Sequence, residues 1–311
     1  MLACSACATG CTQPVTYGPQ QVWISPACLA RSAPFIFAPR GRTAVRRPYC
    51  MTSRDLTLTV YGELLDALKD TGHRFRSFSD HVRAPQERAV LLRHDVDDRK
   101  LHSLAFARIQ HERGIVGTYY FRMLPQSFDE RVVREVHELG HEVGYHYEEM
   151  DLCKGDAARA YDLFRKNLQR LREVVPVTSI CMHGSPRSRF DNKALWHRYD
   201  YRSLGIIGEP YLDLDFGRIA YFTDTGGRWD GDAYSVRDRV SSRPCERYRR
   251  TQDMARAIRE GIFPSPVMLT FHPQRWTDSA PLWLRDRLVQ HMKNYAKYGI
   301  IQWRSLRRSR V

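Results

Sequence analysis

The chain lacks long apolar runs. No stretch approaches the roughly 18 consecutive apolar residues that a bilayer-spanning helix needs, and the first residues lack the charged start and continuous apolar segment of a secretory signal. We therefore expect a protein without a membrane span that works in the cytoplasm. With 42% hydrophobic and 11% aromatic residues, the 311-residue chain can form a sizeable core, which predicts a globular protein.

Motifs of three common enzyme classes are also absent. There is no glycine-rich phosphate loop of the Walker type and no strand followed by Gly-x-Gly-x-x-Gly, so neither nucleotide hydrolysis nor a dinucleotide cofactor is supported. No Gly-x-Ser-x-Gly follows a predicted strand, and Gly184-Ser185-Pro186 does not fit a nucleophile elbow. A serine hydrolase is therefore not supported either.

Residues 1–50 contain no Asp, Glu or Lys, although they hold five of the eight cysteines and five arginines. A targeting peptide or a metal-binding cysteine cluster would fit part of this composition, but no helical pattern or second cluster accompanies it. We expect this segment to be a disordered extension or a start assigned too early. The folded part is then a single domain over residues 51–311 whose cysteines are reduced thiols.

The formal net charge of +14 falls to +9 when the five arginines of residues 1–50 are left out. A basic balance of this size is compatible with nucleic acid, an anionic glycan, a nucleotide-sugar or a solvated basic surface. Charge alone does not choose among these partners.

The most informative segment is residues 90–98, Val-Leu-Leu-Arg-His-Asp-Val-Asp-Asp. An apolar run that ends abruptly in acidic residues predicts a buried strand that brings carboxylates to the edge of a sheet. Alternation along a strand places Asp95 and Asp97 on one face, about 7 Å apart, and His94 on the other. Such a pair can bind a metal and accept a proton, whereas the simpler alternative is that Asp97 or Asp98 caps the following helix.

Short apolar segments alternate with amphipathic ones from residue 56 onward. The alternation predicts parallel strands joined by helical crossovers, in either an open doubly wound sheet or a closed barrel. Residues 191–250 are less regular and predict loops and short strands. The predicted helices are 56–67, 101–113, 129–139, 157–174, 252–260 and 282–298, and the predicted strands are 90–98, 117–122, 142–147, 178–183, 266–272 and 300–303.

Four of the predicted strands end in residues that can bind a metal or move a proton. These residues are Asp95 and Asp97 on the first strand, then His146, His183 and His272 on three later ones. The carboxyl ends of parallel strands share one rim, so these side chains are expected to meet there although they are far apart in sequence. Each histidine taken alone also fits a purely structural role.

These motifs resemble those of the polysaccharide deacetylases of the NodB-homology superfamily, in particular a branch with His-Asp-Val-Asp in its first motif. The second motif is similar in residues 140–146, Gly-His-Glu-Val-Gly-Tyr-His, and the last in residues 267–272, Val-Met-Leu-Thr-Phe-His. The resemblance spans roughly residues 56–303. It implies an irregular (β/α) barrel.

The resemblance also implies roles for individual residues. Asp95 would be the general base, Asp97 and His146 would bind a divalent metal, most simply Zn²⁺, and His272 would act as general acid toward the leaving amine. The superfamily's second metal-binding histidine is replaced by Met150, a poor ligand for such an ion. We expect His183 to supply the missing ligand, with Glu148 as the alternative.

The implied activity is metal-assisted removal of an acetyl group from an N-acetylated sugar or glycan precursor. A different amide or ester hydrolase would share every motif. A third possibility is a basic, non-catalytic binding protein for anionic glycan or nucleic acid whose metal site has decayed at Met150, although nucleic acid is not the expected partner. Sugar-contacting candidates, each also explained by core packing or turns, are Tyr145, Tyr147, Trp229, Trp276, Asp224, Asp230 and Asp232.

Overall fold

The computed structural model describes residues 54–185, 188–230, 240 and 247–293. The expectations for residues 1–50, for Asp232 and for a strand at 300–303 fall outside these residues.

Seven parallel strands form one sheet that curves into an open half-barrel. Their order across the sheet is β5-β4-β3-β2-β7-β6, and β1 pairs with the beginning of β2. The parallel α/β class and the barrel-like sheet expected from the sequence are thereby confirmed. The strands are β1 (Arg74–Arg76), β2 (Ala89–Val96), β3 (Thr118–Phe121), β4 (Glu142–Tyr147), β5 (Ile180–Met182), β6 (Ala220–Thr223) and β7 (Val267–Phe271).

Helices follow most strands and cover the outside of the sheet. Thr57, Asp129 and Asp156 cap three of them with side-chain oxygens that accept backbone N–H bonds. The helices are α1 (Leu58–Asp70), α2 (Phe78–Arg83), α3 (Lys100–His111), α4 (Glu130–Glu138), α5 (Glu149–Leu152), α6 (Ala157–Arg172), α7 (Pro210–Asp213), α8 (Thr251–Arg259) and α9 (residues 280–293), with 3-10 turns at Asn192–His197, Tyr201–Leu204 and Pro273–Arg275. None of these helices is long and apolar enough to cross a membrane.

The two faces of β2 have different surroundings, as its alternation predicts. His94 points into the layer between sheet and helices, where its ring stacks on Tyr119 and Phe271 with centroids 4.1 and 5.4 Å away. Burial lowers the pKa of His94 to about 3, so this histidine is a neutral core residue. The opposite face of β2 points into the half-barrel.

The interior of the half-barrel changes from apolar to polar along the strand direction. At the bottom, five side chains form a small apolar cluster: Phe78, Leu91, Phe216, Ile219 and Met268. Arg93 and Asp95 follow Leu91 on the same face of β2 and are also buried. The polar end of the interior is therefore the end at which the strands stop.

The first residues after β2 do not act as a helix cap. Helix α3 begins at Lys100 after Arg99, which adopts a left-handed conformation (φ 49°), and no side chain caps the helix. Asp98 accepts a hydrogen bond from the neighbouring Arg99 N–H instead. The capping alternative for Asp97 and Asp98 is therefore wrong.

A buried carboxyl group at the start of α5 makes stability depend on pH. Glu149 is fully buried, and its oxygens accept hydrogen bonds from Tyr145 Oη, Asn167 Nδ2 and the Glu148 N–H. Burial raises the pKa of Glu149 from 4.5 to about 7 despite these bonds. Because the folded state holds this proton more tightly than the unfolded chain, stability is lost as pH rises between these values.

We predict that Glu149→Gln removes this loss. The free energy of unfolding of the variant, relative to the unchanged protein, should rise by on the order of 2 kcal/mol between pH 5 and 7.5. Urea denaturation across this range measures the difference, with Glu138→Gln on the exposed face of α4 as control. Parallel stability curves for the unchanged protein and Glu149→Gln would contradict the prediction.

Candidate active site

The first group at the rim is a buried ion pair between two residues of the same strand. Arg93 and Asp95 are two positions apart on β2, so both side chains point into the half-barrel. Arg93 donates from Nε to Asp95 Oδ1 over 2.8 Å and from Nη2 to Oδ2 over 2.6 Å. The rings of Tyr120 and Tyr211 lie 6.0 and 4.8 Å from the guanidinium carbon. The two hydrogen bonds from Arg93 fix the Asp95 carboxylate in one orientation.

The same pair keeps Asp95 ionised although it is almost completely buried. Burial raises the pKa of Asp95, but the charge of Arg93, with smaller contributions from His146 and His272, lowers it below its usual value. A paired buried carboxylate of this kind remains charged at neutral pH. Asp95 is therefore present as a potential proton acceptor.

Asp97 lies at the centre of three histidines. Its Oδ1 is 3.5 Å from His146 Nε2 and 3.5 Å from His183 Nε2, and its Oδ2 is 3.9 Å from His272 Nε2. His146 Nε2 is also 3.9 Å from Asp95 Oδ2. The structure thus brings together all five side chains that the sequence placed at the ends of strands.

His146 and His183 are oriented in the same way, with Nε2 turned toward Asp97. His146 Nδ1 donates to the Cys181 carbonyl over 2.9 Å, which leaves the lone pair on Nε2. His183 Nδ1 lies 3.1 Å from Glu148 Oε2. Histidines that bind metals commonly have this arrangement, in which the other ring nitrogen is held by a carbonyl or carboxylate.

Glu148 is itself held by a bidentate contact with Arg122. Arg122 donates from Nε over 2.9 Å and from Nη2 over 2.7 Å. Burial opposes ionisation, but the bonds to His183 and Arg122 lower the pKa of Glu148 to about 2. Both oxygens of Glu148 are therefore engaged, which favours His183 over Glu148 as the group that faces Asp97.

These residues fit a divalent cation. Asp97 Oδ1 is buried and accepts no hydrogen bond from the described residues, which is costly for a carboxylate unless a cation completes it. Two ligands of one tetrahedral Zn²⁺ lie about 3.4 Å apart at ordinary bond lengths, close to the 3.5 Å from Asp97 Oδ1 to each histidine. Asp97 Oδ1 is therefore placed to share an ion with either histidine, and an ion held by all three would draw together the two imidazoles, whose ring centroids are 5.3 Å apart.

A second set of potential ligands overlaps this one. Atoms of Asp95, His146 and Cys181 lie within 4.8 Å of one another. Both oxygens of Asp95 already accept bonds from Arg93, however, and a metal there would lie beside the guanidinium charge. We therefore favour the set that contains Asp97 and His183.

His272 is held by a buried aspartate that the sequence did not identify as its partner. The side chain of His272 donates from Nδ1 to Asp224 Oδ1 over 2.5 Å, and Asp224 Oδ2 accepts from Trp276 Nε1 over 2.7 Å. Burial and Arg275 lower the pKa of His272, but Asp224 and Asp97 outweigh them and raise it. His272 can therefore carry a proton near neutral pH.

Several side chains expected to contact a sugar belong to the core. Asp224 is fully buried under His272, and Asp230 pairs with Arg228. The four aromatic candidates, Tyr145, Tyr147, Trp229 and Trp276, are at most 2% exposed. A stacking role for these rings and a sugar-binding role for Asp224 are therefore wrong, because the same apolar surface that would stack on a sugar packs against neighbouring rings instead.

No family model matches the chain, and no curated protein matches it in sequence. Two similar solved structures are a family 4 carbohydrate esterase from Bacillus anthracis and the family 4 carbohydrate esterase PdaA of Bacillus subtilis. Their sequence identities are 10% and 13%, each match covers 75% of this chain and 85% or 84% of the other, and the TM-score is 0.34 in both cases. Similarity at this level carries no argument, so the function is inferred from the site itself.

We predict that Asp224→Asn lowers the pKa of His272. Removing an opposite charge in direct contact typically shifts a pKa by about one unit or more, and Asp224 is a main cause of the raised pKa. NMR titration of the histidine ring in metal-free protein measures the change. Asp230→Asn, which affects a different ion pair, should leave this titration unchanged; equal pKa values in all three proteins would contradict the prediction.

Proposed function

We propose that the protein is a metal-dependent hydrolase that removes an acetyl group from an N-acetylated sugar or glycan precursor. The observation that carries this proposal is the convergence of His146, His183 and His272 on the Asp97 carboxylate, whose buried Oδ1 has no hydrogen-bond partner in the described part of the chain. Groups suited to hold a cation, accept a proton and donate a proton then lie within one small volume.

In this proposal Asp97, His146 and His183 hold a divalent cation, most simply Zn²⁺. Such a cation would supply Lewis-acid polarisation of the acetyl carbonyl and stabilise the negative charge on its oxygen. The Nδ1 contacts to Cys181 and Glu148 orient both imidazoles so that Nε2, the nitrogen that would bind the metal, faces Asp97. The half-barrel holds these ligands from separate strands in fixed positions.

Asp95 and His272 supply the proton transfers. Asp95, kept ionised by Arg93, accepts a proton from the water that attacks the acetyl carbon. His272, kept protonated by Asp224, donates a proton to the nitrogen of the sugar as the C–N bond breaks. The products are acetate and an amino sugar, and both residues return to their starting states when Asp95 passes its proton to solvent and His272 takes one up.

The alternative of a decayed metal site depends on the absence of a second histidine beside Asp97. Met150 packs in the hydrophobic core, and His183 occupies the position toward Asp97 that a second histidine ligand would need. A non-catalytic binding protein is therefore not favoured.

We predict that the protein binds one equivalent of a divalent metal and that Asp97→Ala, His146→Ala and His183→Ala each lose it. Elemental mass spectrometry after exposure to excess Zn²⁺ and desalting measures the content. His137→Ala, on the exposed side of α4, serves as control. An unchanged protein without metal under these conditions would overturn the proposal.

Glu148→Gln separates orientation from ligation. If Glu148 only orients His183, the variant keeps a metal but binds it about 10 to 100 times more weakly, as is usual when such a partner of a ligand is lost. Metal retained in His183→Ala and lost in Glu148→Gln would instead make Glu148 the ligand.

The proposed proton acceptor gives a further prediction. Asp95→Asn should lower kcat for acetate release from N-acetylated sugars at least 100-fold, because general base catalysis typically contributes this much. The metal content of the variant should equal that of the unchanged protein, since Asp95 is not among the proposed ligands. A kcat within a factor of three of the unchanged protein would exclude Asp95 as the base.

A further inference from the structure

A cleft of about 270 Å³ lies beside the candidate active site. It is lined by the loop after β2, the loop after β7 and α9. Gln274 lines this cleft and donates from Nε2 to Asp97 Oδ2 over 3.1 Å. Gln274 therefore connects the wall of the cleft directly to Asp97.

The side chains that line the cleft carry an excess of positive charge. Arg99 is neutralised by a bidentate contact with Asp286, and Asp98, an exposed carboxylate, is the second acid. Arg275 reaches Asp224, which is already shared with His272 and Trp276. The charged lining residues are Arg99, Arg275, Arg287, Lys293, Asp98 and Asp286, that is, four cations and two carboxylates.

Unlike Arg99 and Arg275, Arg287 forms no ion pair with a described residue, and unlike Lys293 it is partly buried. Its Nη1 donates to the Gly227 carbonyl over 2.6 Å, and its guanidinium carbon lies 5.6 Å from the centre of the Trp283 ring. No carboxylate lies within ion-pair distance of Arg287 in the described part of the chain. Burial lowers its pKa, and the more distant carboxylates of Asp55 and Asp224 offset this only in part.

The turn after β6 is shaped to admit this guanidinium. Gly227 has a φ of +76°, and a Cβ atom at this position would come within 2.7 Å of Arg287 Nη1. A side chain at residue 227 would therefore strain the turn and press on the guanidinium. The absence of a side chain lets Arg287 lie against the backbone with the rest of its donors available.

From these observations we infer that the cleft binds an oxyanion carried by the substrate, a phosphate or a carboxylate, with Arg287 as its main contact. This inference rests on the proposed function, because it makes the substrate an acetylated sugar that bears a negative group. Guanidinium groups bind both oxyanions through paired N–H donors. The limited volume of the cleft suits one such group better than a nucleic-acid backbone, which would need an extended basic surface.

The experiment measures anion binding separately from catalysis. Isothermal titration calorimetry of the metal-free protein is performed with inorganic phosphate, pyrophosphate and glucuronate at low ionic strength. The variants are Arg287→Gln, Arg287→Lys and, as matched control, Arg285→Gln, whose exposed side chain lies on the same helix outside the cleft. Circular dichroism establishes that each variant is folded.

We expect at least one probe to bind, Arg287→Gln to weaken it at least tenfold, Arg287→Lys to weaken it less, and Arg285→Gln to change it less than twofold. Tighter binding of phosphate or pyrophosphate than of glucuronate would identify a phosphorylated sugar, and the reverse order a uronic acid. Absence of binding, or equal weakening by the changes at 285 and 287, would overturn the inference. Because this experiment measures binding and not turnover, its outcome can be interpreted even if the proposed hydrolysis is not observed.

If hydrolysis is observed, a second measurement connects the cleft to it. Arg287→Gln should raise KM for an acetylated sugar that bears the preferred anion at least tenfold and leave its kcat within threefold. A matched fall in kcat with unchanged KM would instead indicate a structural effect and contradict a binding role for Arg287.

Discussion

The parallel pairing of β2 with β3 and β7 is the constraint on which the candidate site depends. This pairing places His94 opposite Tyr119 and Phe271, so the ring of His94 is locked in the core and the opposite face of β2 points into the half-barrel. A shift of one residue would exchange these faces and bury His94 where Asp95 now lies. The stacked rings around His94 therefore hold Asp95 and Asp97 at the rim.

The carboxylates at this rim are not equivalent, because their partners differ. Asp95 pairs with Arg93, Glu148 with Arg122 and Asp224 with His272, and the carboxylate of each pair is buried. Such pairing is what permits charge in a low-dielectric interior. Among the described residues Asp97 has no arginine or lysine partner and instead contacts three imidazoles and the Gln274 amide.

Some site residues were predictable from the sequence and others were not, depending on how clear the pattern of the preceding strand is. Asp95, Asp97 and the three histidines each follow a strand with a clear apolar pattern, so the rule that parallel strands end at one rim located them. Asp224 obeys this rule too, but β6 lies in an irregular region where its four residues gave no pattern. Arg93 lies two residues before Asp95, so strand alternation places both side chains on the same face of β2 and could have predicted their pairing.

The aromatic predictions failed for a different physical reason. Sequence gives the type of a ring but not its neighbours, and Tyr145, Tyr147, Trp229 and Trp276 are flanked by other rings that bury them. A buried aromatic ring contributes more to the stability of the fold than the same ring exposed as a surface for stacking on a sugar. A sugar in this site must then be held mainly by polar and charged groups at the rim.

The distribution of unbalanced charge indicates how such a substrate would be oriented. Asp97, which contacts Gln274, carries a negative charge, and Arg287, which lines the same cleft as Gln274, carries a positive one. A cation bound at Asp97 would balance the charge of Asp97. It would not balance the charge of Arg287, which lies in the neighbouring cleft. An acetylated sugar with an oxyanion would place its acetyl group at the cation and its negative group at Arg287, so each end would supply what the protein lacks there. The charge pattern thus favours this direction of binding, because the reverse would bring the neutral acetyl group to Arg287 and leave the guanidinium without a counterion.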